Sequence, residues 1–348
     1  MTAPRVLVLY NRPVLPPGHP DYDSEAEVLY SVKIVRDSLT ALGIPHDEFG
    51  VTDDLAPLLE RLARDDFEVA FNLYEGTADF SVTEVYFTGL LEWQRIRFTG
   101  CPSHALVLAR QKVLAKSLFR DAGLLTAPFL VVLEGQPAPE LAFGFPAIVK
   151  PASEDASVGI EQAAVVRDAD ELAARVAYIH EQYGQPALVE QYISGREIQL
   201  SMVDLHGTGD PVLLPASEIA FGPPTTDRPW PIYTYTAKWN ENSEEFANAA
   251  VRVGVELPPD VDARLRDTVL RVYHLLGARD YARVDLRLTS AGELFVLEMN
   301  PNPSITSIMI DSALPALDYT YDQFIGALVR NAAAREPGPV GERRKRMK

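Results

Sequence analysis

The chain has 348 residues, 47% hydrophobic and 23% charged, a composition of a soluble globular protein that is too long for one ordinary core. Asp and Glu number 49 against 32 Lys and Arg, and the net charge of -17 argues against a nucleic-acid partner. The single cysteine, Cys101, excludes an internal disulfide and a multi-cysteine zinc site, and no apolar run is long enough to span a membrane, so a cytoplasmic protein is expected.

In chain order, residues 5–10 read as a strand and 25–42 as a helix whose Val28, Leu29, Val32, Val35, Leu39 and Leu42 line one face, ended by Gly43. A strand over 68–73 and a helix over 81–96 continue the alternation, which predicts an α/β domain with a parallel sheet over 1–105. Residues 106–195 read as an α+β module: a helix over 106–123, strands over 129–133 and 145–150, a helix over 168–183 and a strand over 187–191. Asp168 is the expected N-cap, with Glu171 completing an acidic analogue of the capping box. A second α+β module over 196–333 carries a strand over 197–204, a proline-rich loop over 221–235, a helix over 260–277 and a closing hairpin. Residues 334–348 read as a basic disordered tail.

The usual phosphate loops are absent: there is no Gly-Lys dipeptide, and the one Gly-x-Gly, Gly207 to Gly209, lacks a third glycine in register. Lys150 instead ends the apolar strand Pro146-Ala147-Ile148-Val149, and a lysine there points into the crevice where α/β ligands bind. By itself a snorkelling surface lysine is the commoner outcome. The small polar loop from Pro151 to Gly159 could bring backbone amides to phosphate oxygens, or be an ordinary turn. In the closing hairpin, a four-residue loop at Thr289-Ser290-Ala291-Gly292 would set Arg283 opposite Glu298, with Asp285 diagonal on the same face. Such oxygen donors suit Mg2+ with an amide carbonyl and nucleotide phosphates; a surface salt bridge is the alternative.

Taken together, Phe71-Asn72-Leu73-Tyr74-Glu75-Gly76, Gln111-Lys112, Ile148-Val149-Lys150-Pro151 with Ser157-Val158-Gly159, and Val189-Glu190 with Gly195-Arg196-Glu197 form an ordered series. With Tyr235-Thr236-Ala237-Lys238-Trp239, Arg283-Val284-Asp285 and Leu297-Glu298-Met299-Asn300, the series resembles the ATP-grasp superfamily in its D-alanine–D-alanine ligase-like branch. The resemblance covers nearly the whole chain. It implies an N-terminal parallel-sheet domain plus two α+β modules enclosing ATP. Lys112 and Lys150 would hold the α- and β-phosphates, Glu190, Gln191, Tyr192 and Ile193 the adenine, and Glu197 the ribose hydroxyls. Asp285, Glu298 and Asn300 would bind a pair of Mg2+ ions. Arg283 and Lys238 would stabilise the transferring phosphoryl group, with Ser157 of the closing loop completing the catalytic set.

The implied activity is ATP-dependent carboxylate–amine ligation through an acyl phosphate, with small-molecule acid and amine substrates. The relatives also suggest a homodimer. Several positions depart from the branch's pattern: the first strand runs into Asn11-Arg12-Pro13, Tyr74-Glu75 replaces a His-Gly pair, and Ala156 and Trp239 replace a serine and a tyrosine. Ser304 and Met309 stand where glycine and an acceptor-binding serine are usual. Arg12, Tyr74, Glu75, Trp239, Ser304 and Met309 are therefore the candidate substrate residues. They point to a specialised carboxylate or amino acid joined to an amino acid or amine. The alternatives are cell-wall D-alanine–D-alanine ligation and a non-catalytic ATP-binding scaffold.

Overall fold

The structure is a computed structural model that describes residues 3–14, 22–64, 66–77, 81–154, 157–306, 310 and 313–336. Strands β1 (Val6–Asn11), β2 (His46–Val51) and β3 (Val69–Leu73) form the expected parallel sheet in the order β2-β1-β3. Most residues of β1 and all of β3 are buried, as befits parallel strands covered on both faces. Helix α1 (Tyr22–Ala41) buries Val28, Val32, Val35 and Leu39. Leu29 and Leu42, expected on the same face, are 45% and 39% exposed, because the buried stripe is narrower than the apolar one. Helices α2 (Ala56–Ala63) and α3 (Thr83–Gln94) complete this part.

The single helix expected over 106–123 is two, α4 (Ser103–Arg110) and α5 (Lys112–Asp121). Gln111 at φ -79°, ψ 79° lies outside the helical basin, so the ladder stops there and restarts in a new direction. The break puts Lys112 at the start of α5. Strands β4 (Phe129–Val132), β5 (Ala147–Pro151), β6 (Val165–Val166) and β7 (Ala187–Gln191) make an antiparallel sheet, β4-β7-β5-β6, under Leu172, Val176 and Ile179 of α6 (Ala169–Tyr183). Asp168 caps α6 by accepting from Asp170 N and Glu171 N. The expected capping box is displaced by one residue: Glu171 accepts from Arg167 N at 2.8 Å, held there by the Arg167 guanidinium.

The third sheet comprises β8 (Arg196–Val203), β9 (Val212–Leu213), β10 (Ser217–Phe221), β11 (Ala249–Val253), β12 (Tyr281–Leu288) and β13 (Leu294–Pro301). Its order is β11-β10-β8-β12-β13, with β9 on β8. The short helices α7 (Tyr235–Trp239) and α8 (Glu244–Ala247) follow the proline-rich loop, and α9 (Pro259–Leu275) packs Val261, Leu265, Val269 and Val272 against the sheet. The last helix, α10 (Tyr321–Ala334), packs beside α1 in a core shared with β1 and β3. It includes the first residue of the expected tail; residues 337–348 lie outside the described residues. No helix among the described residues is long and apolar enough to cross a membrane.

The hairpin register differs from expectation in two steps. Leu288 pairs with Leu294, so the loop holds five residues rather than four, and a bulge follows: Leu286 pairs with Val296 but Asp285 with Glu298, leaving Leu297 extra. Arg283 thus faces Asn300, and Asp285 faces Glu298 directly. The bulge also switches phase. Before it, Leu294 and Val296 point into the apolar core beside Leu286; after it, Met299 does, and Glu298 and Asn300 turn to the opposite face.

A clasp joins this hairpin to the first domain. Asp280, fully buried at 0% exposure, accepts from Gly100 N at 2.6 Å and pairs with Arg335 just beyond α10. Arg335 also donates to Phe98 O at 2.8 Å, and its own carbonyl accepts from Arg97 Nε at 2.7 Å. Asn302 Oδ1 accepts from Cys101 N at 2.7 Å; a Cβ on Gly100 would stand 2.6 Å from that oxygen, so only glycine fits. Burial pushes the Cys101 thiol up to about 12, which marks it as a packing residue. Arg335→Ala, by leaving the Asp280 carboxylate without its cation, should cost about 3 kcal/mol, read as a lowered urea midpoint at unchanged slope.

Candidate active site

The strand period of two sorts the third sheet into an apolar and a polar face. Ile198, Leu200, Met202, Val284, Leu286 and Met299 enter the core. On the other face, register places Glu197 opposite Arg287, Gln199 opposite Asp285 and Ser201 opposite Arg283, while β13 adds Glu298 and Asn300. The result is a polar floor across β8, β12 and β13. It borders a cleft closed on the other side by Ile148, Lys150, Glu190, Gln191, Tyr192 and Ile193 from the central sheet.

Most of the expected site residues meet in this cleft. Lys112, Lys150, Ser157, Glu190, Gln191, Tyr192, Ile193, Glu197, Lys238, Arg283, Asp285, Glu298 and Asn300 all line it. Ser157 holds a left-handed φ of 66°, and its carbonyl accepts from Ile160 N at 2.9 Å, closing a tight turn beside the ligand space. Arg283 pairs with Asp285 rather than Glu298: Nε to Oδ1 is 2.7 Å and the second NH2 to Oδ2 is 2.9 Å. Asn300 Nδ2 donates to Asp285 Oδ2 at 3.0 Å, and Lys112 Nζ meets Glu298 Oε2 at 3.0 Å.

The candidate substrate residues scatter. Glu75 follows β3, with its backbone N donating to Asn11 Oδ1 at 3.2 Å, and it feels both Glu27 on α1 and Lys238. Its side chain still opens to solvent, yet the desolvating surroundings and the Glu27 charge raise its carboxyl to about 7. Tyr74 turns into the core instead, 5% exposed and stacked on Phe87 with ring centroids 4.2 Å apart. Arg12 is exposed and outside the cleft lining, Ser304 Oγ bonds Thr306 Oγ1 at 2.9 Å, and Trp239 lies beneath the Lys238 ammonium at 5.1 Å. Met309 and Ala156 lie outside the described residues.

Sequence reasoning missed Lys116, one turn beyond Lys112. Its side chain is 1% exposed and its ammonium pairs with Glu190, which also takes Lys150; Lys116 Nζ donates to Thr126 Oγ1 at 2.9 Å as well. Burial alone would raise the Glu190 carboxyl, but the Lys116 and Lys150 charges outweigh it and hold it at about 2. Burial likewise opposes ionisation of Glu298, and Lys112, Lys150 and Arg283 hold it at about 2. Gln199 was also missed: its Oε1 is buried with no hydrogen-bond partner among the described residues. The signal available for Lys116 was its place at Lys112 plus four, on the same face of a helix.

The floor fits a divalent cation of the Mg2+ kind. No cluster of three or more His, Cys, Asp or Glu exists among the described residues, so protein donors would be Asp285, Glu298 and the Asn300 amide. Mg2+ suits that set, since it takes one or two carboxylates and completes its shell with phosphate oxygens and water. Burial followed by the Arg283 charge lowers the Lys238 ammonium, while the Glu298 and Asp285 carboxylates act the other way.

The Glu190 cluster sets a pH signature. A carboxyl depressed from 4.5 to about 2 stabilises the fold fully above its unfolded value, and that stabilisation is lost as pH falls through the folded value. In Lys116→Met, with one ammonium gone, the carboxyl is depressed less, so the pH-dependent loss should be smaller and complete at a higher pH, read from urea midpoints collected between about pH 2 and about pH 6.

A family model described as "D-ala D-ala ligase C-terminus" matches residues 118–330. A D-alanine–D-alanine ligase of Pelobacter propionicus is 33% identical over 254 residues, covering 70% of this chain and 73% of that protein. An uncharacterized protein of Sinorhizobium fredii is 32% identical over 268 residues, 75% of this chain and 73% of that one. Among solved structures, a Bacillus anthracis D-alanine–D-alanine ligase complexed with ATP superposes with TM-score 0.72 at 20% identity, over 95% of this chain and 97% of that one, a likeness of fold. The family match runs from the last turn of α5 into α10, through both sheets that border the cleft, and with it the chain belongs to the D-alanine–D-alanine ligase family of ATP-grasp carbon–nitrogen ligases.

Proposed function

We propose that this protein joins the carboxylate of an amino acid to the amine of a second amino acid or amine, using ATP through an acyl phosphate. The observation that carries it is the meeting of Lys112, Lys150, Lys238 and Arg283 with Asp285, Glu298 and Asn300 around one cleft. Cations on two walls and oxygen donors on the floor are what a triphosphate with its metal requires. Lys112 and Lys150 are each held by a carboxylate, Glu298 and Glu190, which fixes their ammoniums at the cleft wall, where they would meet the phosphates. Bound Mg2+ would neutralise charge on the transferring phosphoryl group.

The acid's carboxylate oxygen attacks the γ-phosphorus, and ADP leaves. The amine then attacks the acyl carbon, phosphate departs, and the nitrogen gives up its proton to form the amide. Lys238 and Arg283 face the charge that grows on the phosphoryl oxygens. Water must be kept from the acyl phosphate, and the loop around Ser157 and the proline-rich loop border the cleft where that exclusion is needed. Glu75, a carboxylate that senses the Lys238 and Glu27 charges, is the group we assign to a substrate ammonium, which favours an amino acid as the acid component.

A second reading, ligation of two D-alanines, is favoured by the names of the relatives. D-alanine as sole added acid and amine should then sustain ADP release; if only another pair does, the more specialised reading holds.

Two outcomes test the site. Glu298→Gln should lower ADP release on the order of 100-fold, because a carboxylate facing metal and phosphate is lost; unchanged turnover would refute the metal role. With Glu75 raised to about 7, kcat/KM for the ammonium-bearing acid should rise as pH passes about 7, since only the ionised carboxylate attracts the ammonium. Glu75→Gln should flatten that limb.

A further inference from the structure

Arg287 extends the row of Arg283 and Asp285 along the cleft face of β12, and nothing in the proposed chemistry uses it. Its side chain is only 5% exposed, and it reaches three acceptors on two segments. The guanidinium pairs with Glu197 Oε2 at 2.9 Å, donates to Gly195 O at 3.0 Å in the turn before β8, and donates to Pro231 O at 2.7 Å in the proline-rich loop. The Tyr192 ring, 6.0 Å away, and the Phe221 ring, 5.7 Å away, flank it. Gly195 is needed at that turn, since a Cβ there would stand 2.2 Å from Leu288 O.

The loop that Arg287 grips is fastened on its other side as well. Gln162 exchanges two bonds with Trp230, accepting from Trp230 N at 3.0 Å and donating to Trp230 O at 3.1 Å, and Tyr235 N donates to Ile160 O at 2.9 Å. The loop therefore bridges the two walls of the cleft. It ends at Thr234, whose hydroxyl caps α7 by accepting from Ala237 N at 3.0 Å, and α7 carries Lys238. One guanidinium thus touches the carboxylate read as the ribose partner and the loop that delivers a phosphate cation.

We propose that Arg287 is a positioning residue that couples ribose recognition at Glu197 to the placement of the proline-rich loop and, through it, of Lys238. This rests on ATP occupying the cleft as proposed above. Burial works against ionisation of Glu197, and the Arg287 charge opposes that effect. Holding Oε2 leaves Oε1 for a ribose hydroxyl. A planar fork with five donors can serve three acceptors at once, whereas an ammonium on a flexible stem cannot hold all three in fixed directions.

The test compares ATP with 2′-deoxy-ATP in the full-length protein, by Kd and by kcat. Arg287→Met should reduce the preference for ATP over 2′-deoxy-ATP about tenfold and lower kcat as well, the loss expected for a charged hydrogen bond to the ribose carboxylate. Arg287→Lys, which keeps the charge beside Glu197 but not the fork, should restore most of the ribose preference and leave kcat low. A purely structural role would lower the thermal midpoint of both variants while leaving the ATP to 2′-deoxy-ATP ratio unchanged, and that result overturns the proposal. Should Arg287→Met fail to fold, Arg287→Lys with wild-type kcat overturns it equally. A wild-type protein that binds no ATP refutes the nucleotide reading itself, whereas ATP binding with an unmoved ratio in the variants refutes only the coupling.

Discussion

A phase constraint governs the cleft. A strand shows alternate residues to opposite faces, so a carboxylate and an apolar anchor an even number of residues apart must share a face unless the strand is interrupted. In β13, Leu294 and Val296 anchor the core, and an uninterrupted strand would send Glu298 in with them. An ionised carboxylate in that core would have no cation and no water, at a cost of several kcal/mol. The extra residue at Leu297 turns Glu298 and Asn300 outward and returns Met299 to the core. The outer edge of the strand is not left bare there: Val296 N donates to Leu125 O at 2.8 Å, and Thr126 Oγ1 donates to Val296 O at 2.9 Å.

With the phase settled, the charges organise each other. Asp285 takes the Arg283 fork, Glu298 takes Lys112, and Glu190 takes Lys116 and Lys150. Each pair crosses between elements or locks one side chain against its neighbour, so the ammoniums and guanidinium are held in place before any ligand arrives. Such preorganisation is what makes buried cations effective on a phosphoryl group, since little solvent or side-chain rearrangement is left to do. Lys116 adds nothing to the cleft lining, yet it balances the carboxylate that holds Lys150.

The sequence was most legible where chemistry and periodicity coincide. The parallel first sheet and the Asp168 cap follow from patterns along the chain, and the thirteen residues that the family resemblance implied share one cleft. It was least legible where a single residue changes direction or length. The break at Gln111 carries no proline or glycine, and the bulge at Leu297 lies inside an apolar run that reads as continuous strand. Lys116 and Arg287 were hidden for another reason: each acts on a carboxylate distant in the chain, and only tertiary contact pairs them. Tyr74 shows the converse, a polar-tipped residue beside a motif that packing against Phe87 and a bond to Thr83 claim for the core.

The clasp at Asp280 acquires another meaning when the direction of protein synthesis is considered. A chain leaves the ribosome from its N-terminus, so the hairpin bearing Asp285 and Glu298 emerges well before Arg335. Until then the buried Asp280 carboxylate has the Gly100 amide but lacks its guanidinium. A polypeptide broken off between the hairpin and α10 would hold every residue that lines the cleft and still carry an unbalanced charge at the joint between its sheets. The stretch through α10 to Arg335 is therefore needed for the stability of that joint rather than for any side chain lining the cleft.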